Sequence, residues 1–180
     1  MHVLAMVRRA WNAVYNRYLI VRDPVRYARK AGVRVGEGVR FYGMTPGMFG
    51  SEPWLISIGN NVHIVSGCNF INHDGGVLIL RHRFPDLEIT KPIRIGNNVY
   101  IGINCTILPG VTIGDNVIIG AGAVVTRDIP SGSVAVGIPA RVIKTLDQYL
   151  ASVQAQSLGY GHLGAAAKDL ALRQHYKDWQ

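Results

Sequence analysis

The chain has 180 residues, 48% of them apolar and 17% charged, a length suited to one domain and a charge content well below the roughly 25% of an average soluble protein. That balance excludes a disordered chain, which needs low hydrophobicity and high charge, and a coiled coil, which needs heptads rich in Glu and Lys. Nineteen Lys and Arg against eleven Asp and Glu leave a formal +8, so the expected partner is anionic: nucleic acid, a membrane surface or a phosphorylated small molecule.

The first predicted element is a helix over residues 3 to 21. Its apolar stripe is Leu4, Val7, Trp11, Val14 and Tyr18, with Arg8, Arg9, Asn16 and Arg17 on other faces. Arginines follow the apolar start at once, which is not the order of a secretory signal. No window approaches the roughly 18 apolar residues of a membrane span. Residues 1–30 are assigned to an N-terminal helical segment.

From residue 31 to 145 a six-residue beat takes over. Ile95, Ile101, Ile107, Ile113, Ile119 and Val125 lead successive units, and Val99, Cys105, Val111, Val117 and Ala123 form a second row four places after the first five. Gly96, Gly102, Gly114 and Gly120 stand directly after their leaders, where glycine is expected to permit a turn. Ile58, Ile64 and Phe70 keep the same beat, and Val35 and Phe41 keep it more faintly. Six residues fit neither a helix nor a long alternating strand. They fit a short strand and a corner, three units to a triangular coil, each coil adding about 4.8 Å. The predicted fold is an all-β parallel β-helix, a solenoid whose raw ends are covered by helices. Cys68 and Cys105 fall in the second row and are expected to pack rather than react; two cysteines make no disulfide framework, and a cytoplasmic setting follows.

The beat breaks between Asp74 and Pro92, giving an excursion loop over residues 75–92 in which Val77 to Leu80 could add a strand. Beyond the coils, residues 146–180 form a C-terminal helical segment, with helices over Leu146–Gln156 and Ala165–Trp179 and a break around Gly159 to Gly164.

The run IGNNVYIGINCTILPGVTIGDNVIIGAGAVVTRDIPSGSVAVGIPARVIK, residues 95–144, with ISIGNNVHIVSGCNFINHDGG upstream at 56–76, resembles the hexapeptide-repeat acyltransferases. The branch it resembles is that of the maltose, galactoside, streptogramin and capsular-polysaccharide O-acetyltransferases, over roughly residues 28 to 146. The resemblance implies a left-handed β-helix, against the usual crossover rule. It also implies a homotrimer with active sites between subunits, acetyl-CoA as acyl donor, and no metal in the transfer.

The same resemblance marks His73, in Asn72-His73-Asp74, as the catalytic histidine. A neutral imidazole nitrogen at pH 7 suits a general base, and its second nitrogen needs an orienting acceptor: Asp74, a backbone carbonyl or a group from the next subunit. Gly75 and Gly76 are possible oxyanion donors. For the donor, the resemblance places the pantetheine arm near Gly102 and Ile103 and near Gly120 and Ala121. Its phosphate end would lie near Thr126, Arg127, Arg141 and Lys144. Tyr100 stands where galactoside-type members carry tryptophan. Asn72, His63 and His82 are candidates for the acceptor side. A three-histidine zinc site, as in the γ-class carbonic anhydrases, would need a spacing that His63, His73 and His82 lack.

The resemblance implies an acetyl-CoA-dependent O-acetyltransferase acting on a sugar or glycan precursor. The alternatives are N-acetylation of a nucleotide-linked amino sugar, antibiotic acetylation, or a non-catalytic trimeric scaffold. Nucleic-acid binding has no motif behind it. The arginine-bearing first helix leaves room for association with a membrane surface, which would suit a lipid-linked acceptor.

Overall fold

The computed structural model describes residues 2–179, with side chains from Met6 onward; Leu4 of the predicted stripe therefore lies outside the described side chains. Contacts divide the chain into two compact units, one ending at Leu146 and one beginning at Asp147.

The first unit opens with two helices, α1 (His2–Arg22) and α2 (Pro24–Ala31). Asp23 makes the break. Its carboxylate accepts from Arg26 N at 3.0 Å, and Pro24 supplies a first helical residue that needs no amide hydrogen. Gly32, at φ 112°, ends α2 in the left-handed region and turns the chain into the coils.

Thirteen short strands follow: β1 (Arg34–Val35), β2 (Arg40–Tyr42), β3 (Ile56–Ile58), β4 (Val62–Val65), β5 (Asn69–Phe70), β6 (Ile93–Ile95), β7 (Val99–Ile101), β8 (Thr106–Ile107), β9 (Thr112–Ile113), β10 (Val117–Ile119), β11 (Val124–Val125), β12 (Ser133–Val136) and β13 (Arg141–Thr145). They fall into three sheets, ordered β1-β3-β6-β9, β13-β12-β10-β7-β4-β2 and β11-β8-β5. From β3 to β11 the chain visits the three sheets in rotation. Every pairing is parallel except β12 with β13, a hairpin-like antiparallel pair that ends the winding.

Register shows what the beat encodes. Ile64 pairs with Ile101 and Ile101 with Ile119 on one face, and Ile58, Ile95 and Ile113 stack on another. The leaders from Ile58 onward and the whole second row are buried, while Val35 and Phe41 are partly buried against the core. Each buried Ile or Val contributes roughly 1.5–3 kcal/mol. Burying both cysteines at consecutive levels makes them core residues, Cys68 Sγ reaching Gly102 O and Cys105 Sγ reaching Gly120 O, each at 3.1 Å. The contact with Cys105 and burial together push the Cys68 thiol far up.

The corners differ from expectation in one respect. The left-handed residue is not the glycine after the leader but the residue two places later: Asn98 at φ 53° and Asn116 at φ 57°, for example. Their side chains form a ladder, Asn61 Nδ2 to Asn98 Oδ1 at 2.9 Å and Asn98 Nδ2 to Asn116 Oδ1 at 2.7 Å. Gly96 and Gly102 serve close approach instead. A Cβ on Gly96 would stand 2.7 Å from Gly114 C, and one on Gly102 2.6 Å from Ala121 N, so glycine here sets how tightly coils stack.

Two segments leave the winding. Residues 43–55 form an insert that packs Met48 and Phe49 into the core, with Phe49 against Phe41 and Phe70 at ring distances of 6.0 and 5.7 Å. The second is the excursion after His73. Val77 to Leu80 do not add a strand: Gly75–Leu80 is a 3-10 helix, because Asp74 caps it and two glycines begin it. The excursion then folds on itself through the Arg81–Glu88 ion pair and returns beside its own start, Thr90 bridging to His73 and Lys91 N donating to Asn72 O at 2.8 Å.

The second unit continues from α3 (Leu146–Gln154) to α4 (Ala165–His175), each shorter than predicted. Arg173 Nε reaches Asp169 Oδ2 at 2.8 Å along α4, and Tyr160 meets the His175 ring edge-on at 6.3 Å.

Candidate active site

The two irregular segments meet at His73. The residue sits three positions past β5, where the backbone leaves the coil and is clamped by the antiparallel bridge to Thr90. Its ring lines a cavity of about 250 Å³ together with Ser51, Glu52, Asp74, Gly75 and Val77. Leu78, Arg81 and Glu88 complete the lining.

Glu52 is the residue that sequence reasoning missed. Its Oε2 lies 2.8 Å from His73 Nδ1, with the Glu52 side chain 23% exposed and the histidine 39% exposed. A carboxylate can only accept, so Nδ1 is the donor, and in the neutral ring that leaves the lone pair on Nε2. Glu52 is itself held in place as the cap of a 3-10 turn, Leu55 N donating to its carbonyl at 3.0 Å with Pro53 beginning the turn. A signal was available. Glu52 is one of eleven acidic residues in the chain and stands in an insert that interrupts the beat, as His73 does.

Asp74, the expected alternative, is turned elsewhere. Its Oδ1 accepts from Gly76 N at 2.9 Å, because a 3-10 helix beginning at Gly75 leaves that amide in need of a cap. The same bond commits the Gly76 amide, which removes it as an oxyanion donor and leaves Gly75 of the two glycines. Asn72 is buried beneath the histidine. Its Nδ2 donates weakly to Lys91 O at 3.4 Å, and its Oδ1 has no hydrogen-bond partner among the described residues.

The other two histidines do not line this cavity. His63 is on the outer side of β4, in register with Tyr100 of β7, where its Nδ1 meets Tyr42 Oη at 2.9 Å and the two rings stack at 5.9 Å. It faces a separate depression of about 210 Å³ with Tyr100 and Ile118. His82 is exposed, its Nδ1 2.9 Å from Ile79 O on the far part of the excursion. Among the described residues no cluster of three His, Cys, Asp or Glu side chains is placed to hold a metal ion.

Of the residues expected along the donor, Gly102, Ile103, Gly120 and Ala121 share one corner, while Thr126, Arg127, Arg141 and Lys144 stand on later parts of the winding. Gly102 and Gly120 occupy successive levels, Gly102 N donating to Ile119 O and Gly122 N to Ile103 O, each at 2.8 Å. Ile103 and Ala121 are left exposed beside that backbone. Thr126 and Arg127 are exposed just after β11. Arg141 and Lys144 lie on β13, in register with Val136 and Val134. None of the three cations forms an ion pair among the described residues.

Short strands wound in rotation through three sheets, interrupted by two segments that meet at a carboxylate-held histidine, define a repeat-built protein with a candidate site at its interruptions. Residues 92–127 match the family described as bacterial transferase hexapeptide (six repeats). Protein CapG of Staphylococcus aureus is 54% identical over 121 residues, covering 67% of this chain and 70% of that protein. The chain belongs to the bacterial hexapeptide-repeat transferases and is an acyltransferase by family. The galactoside O-acetyltransferase of Escherichia coli K12 is 37% identical over 71% of this chain, and the match spans 61% of that enzyme. Among solved structures, soybean serine acetyltransferase complexed with serine is 33% identical with a TM-score of 0.50, over 62% of this chain and 40% of that one.

Proposed function

We propose that the chain is an acetyl-CoA-dependent O-acetyltransferase that acylates a hydroxyl of a sugar or glycan precursor, with His73 as general base and Glu52 as its orienting partner. The observation that carries the reading is the 2.8 Å contact between His73 Nδ1 and Glu52 Oε2 at the wall of a cavity. It fixes the tautomer in which Nε2 is free to take a proton. Similarity to the galactoside O-acetyltransferase supports a sugar hydroxyl as acceptor. On the same family ground the coils wind left-handed and three copies assemble, with each site between neighbours.

The residues of this chain then act as follows. Nε2 of His73 accepts the hydrogen of the acceptor hydroxyl as that oxygen bonds to the acetyl carbon. The Gly75 amide faces the oxygen that gains charge at that carbon. When the carbon–sulfur bond breaks, the proton on His73 passes to the departing thiolate, leaving an ester, a free thiol and neutral histidine. Glu52 stays ionised and steadies the imidazolium while it exists. The exposed corner at Ile103 and Ala121 suits an apolar, amide-bearing arm, and Arg127, Arg141 and Lys144 suit its phosphates. No metal step is needed, because a thioester is already activated.

An acceptor screen that follows free thiol release from acetyl-CoA tests the reading. Release that depends on a sugar hydroxyl and disappears in His73→Ala supports it; release unaffected by that substitution overturns it.

A further inference from the structure

Helix α1 is fastened to the first unit through its C-terminal half. Leu19 is buried, Ile20 packs against the core, and Lys30 donates to Asn16 Oδ1 at 2.7 Å while standing 4.7 Å over the Tyr15 ring. Upstream, every residue from Met6 to Val14 is exposed.

The exposed surface is patterned. Val7, Trp11, Val14, Tyr18 and Val21 recur at alternating steps of four and three, so they form one stripe on the side away from Leu19 and Ile20. Each is between 57% and 74% exposed. Arg8 and Arg22 border the stripe on one shoulder and Arg17 on the other, and α1 holds no acidic residue. An isolated exposed apolar side chain is ordinary; five in line with cationic borders mark an interaction surface.

Charge decides what it meets. The four-three spacing would fit a second copy of the helix, but packing the seam on itself brings the arginine shoulders together with no carboxylate to pair them. An anionic lipid surface satisfies both features. The apolar stripe enters the headgroup boundary, the rings of Trp11 and Tyr18 take the interfacial level, and the arginines meet phosphates. The helix is not long and apolar enough to cross a membrane, so it lies along the surface. We propose that α1 docks this stripe on an anionic bilayer, holding the enzyme at a membrane surface; the proposal is independent of the catalytic reading.

Co-sedimentation of the full chain with vesicles tests it. The chain should pellet with phosphatidylglycerol-containing vesicles, stay in the supernatant with pure phosphatidylcholine, and be released as salt rises. The double variant Trp11→Ala/Tyr18→Ala, both of whose rings are exposed in the fold, should bind about tenfold or more weakly. The triple variant Arg8→Gln/Arg17→Gln/Arg22→Gln should lose about fivefold per arginine, roughly a hundredfold in all. Failure to pellet with the anionic vesicles overturns the proposal, as does wild-type binding by the double variant. So does a double variant that changes the oligomeric mass while vesicle binding is unchanged, because a second copy then covers the stripe.

Discussion

The coils from β6 to β12 and the two segments that interrupt the winding obey different rules. In the coils, each residue type is dictated by its place in a six-residue unit: aliphatic leaders inward, asparagine or glycine at the left-handed corner, glycine where one coil nearly touches the next. In the interruptions no period holds. Glu52 and His73 are 21 positions apart and meet because an insert and an excursion leave the same end of the winding. The repeat builds the wall, and the departures from it bring Glu52 and His73 together.

Substitutions in the two regions should therefore fail in different ways. In the irregular region, His73→Ala should cut the turnover number about 10²- to 10⁴-fold, with the melting temperature nearly unchanged; thiol release and a thermal melt read the two effects. In the coils, Ile107→Ala should do the reverse. Its side chain is fully buried, so about 2–5 kcal/mol of stability is lost, read as a lower denaturant midpoint. A paired glycine test is sharper still. Gly96→Ala forces a Cβ to within 2.7 Å of the next coil's backbone and should cost about 1–3 kcal/mol, whereas Gly75→Ala meets nothing within 4 Å and should stay within about 0.5 kcal/mol. Equal costs at the two sites would erase the distinction between close-stacked coil and open excursion. The smallest effect is a silence: neither Cys68 nor Cys105, both buried, should react with a thiol reagent until the protein is unfolded.

What could be read from the sequence follows the same division. The inward rows and the absence of a period over residues 75–92 were legible because burial repeats wherever the backbone does. The corner residues were half legible: an asparagine or glycine stands three places after each leader from Ile95 to Ile119, yet attention to the glycine directly after the leader assigned the turn to the wrong position. Helix α2 escaped because Asp23-Pro24 was not read as a cap. Of the candidate site, His73 was legible through its family resemblance and its place at the break. Its partner was not, because a contact between two aperiodic segments leaves no spacing in the chain. Asp74, the nearest carboxylate in sequence, was instead taken by the local demand of a 3-10 turn for a cap.

The central proposal is that His73 is the general base and that Glu52, not Asp74, holds it. Steady-state kinetics of Glu52→Gln and Asp74→Asn with acetyl-CoA and a competent acceptor test it directly. Glu52→Gln keeps an amide oxygen to accept from Nδ1 but removes the charge, and the charge-assisted bond it weakens is worth roughly 1.5–3 kcal/mol, so the turnover number should fall by up to about 10- to 150-fold with little change in the KM for acetyl-CoA, while Asp74→Asn stays within a few-fold of wild type. The opposite ranking, a crippled Asp74→Asn beside a near-normal Glu52→Gln, would contradict the account.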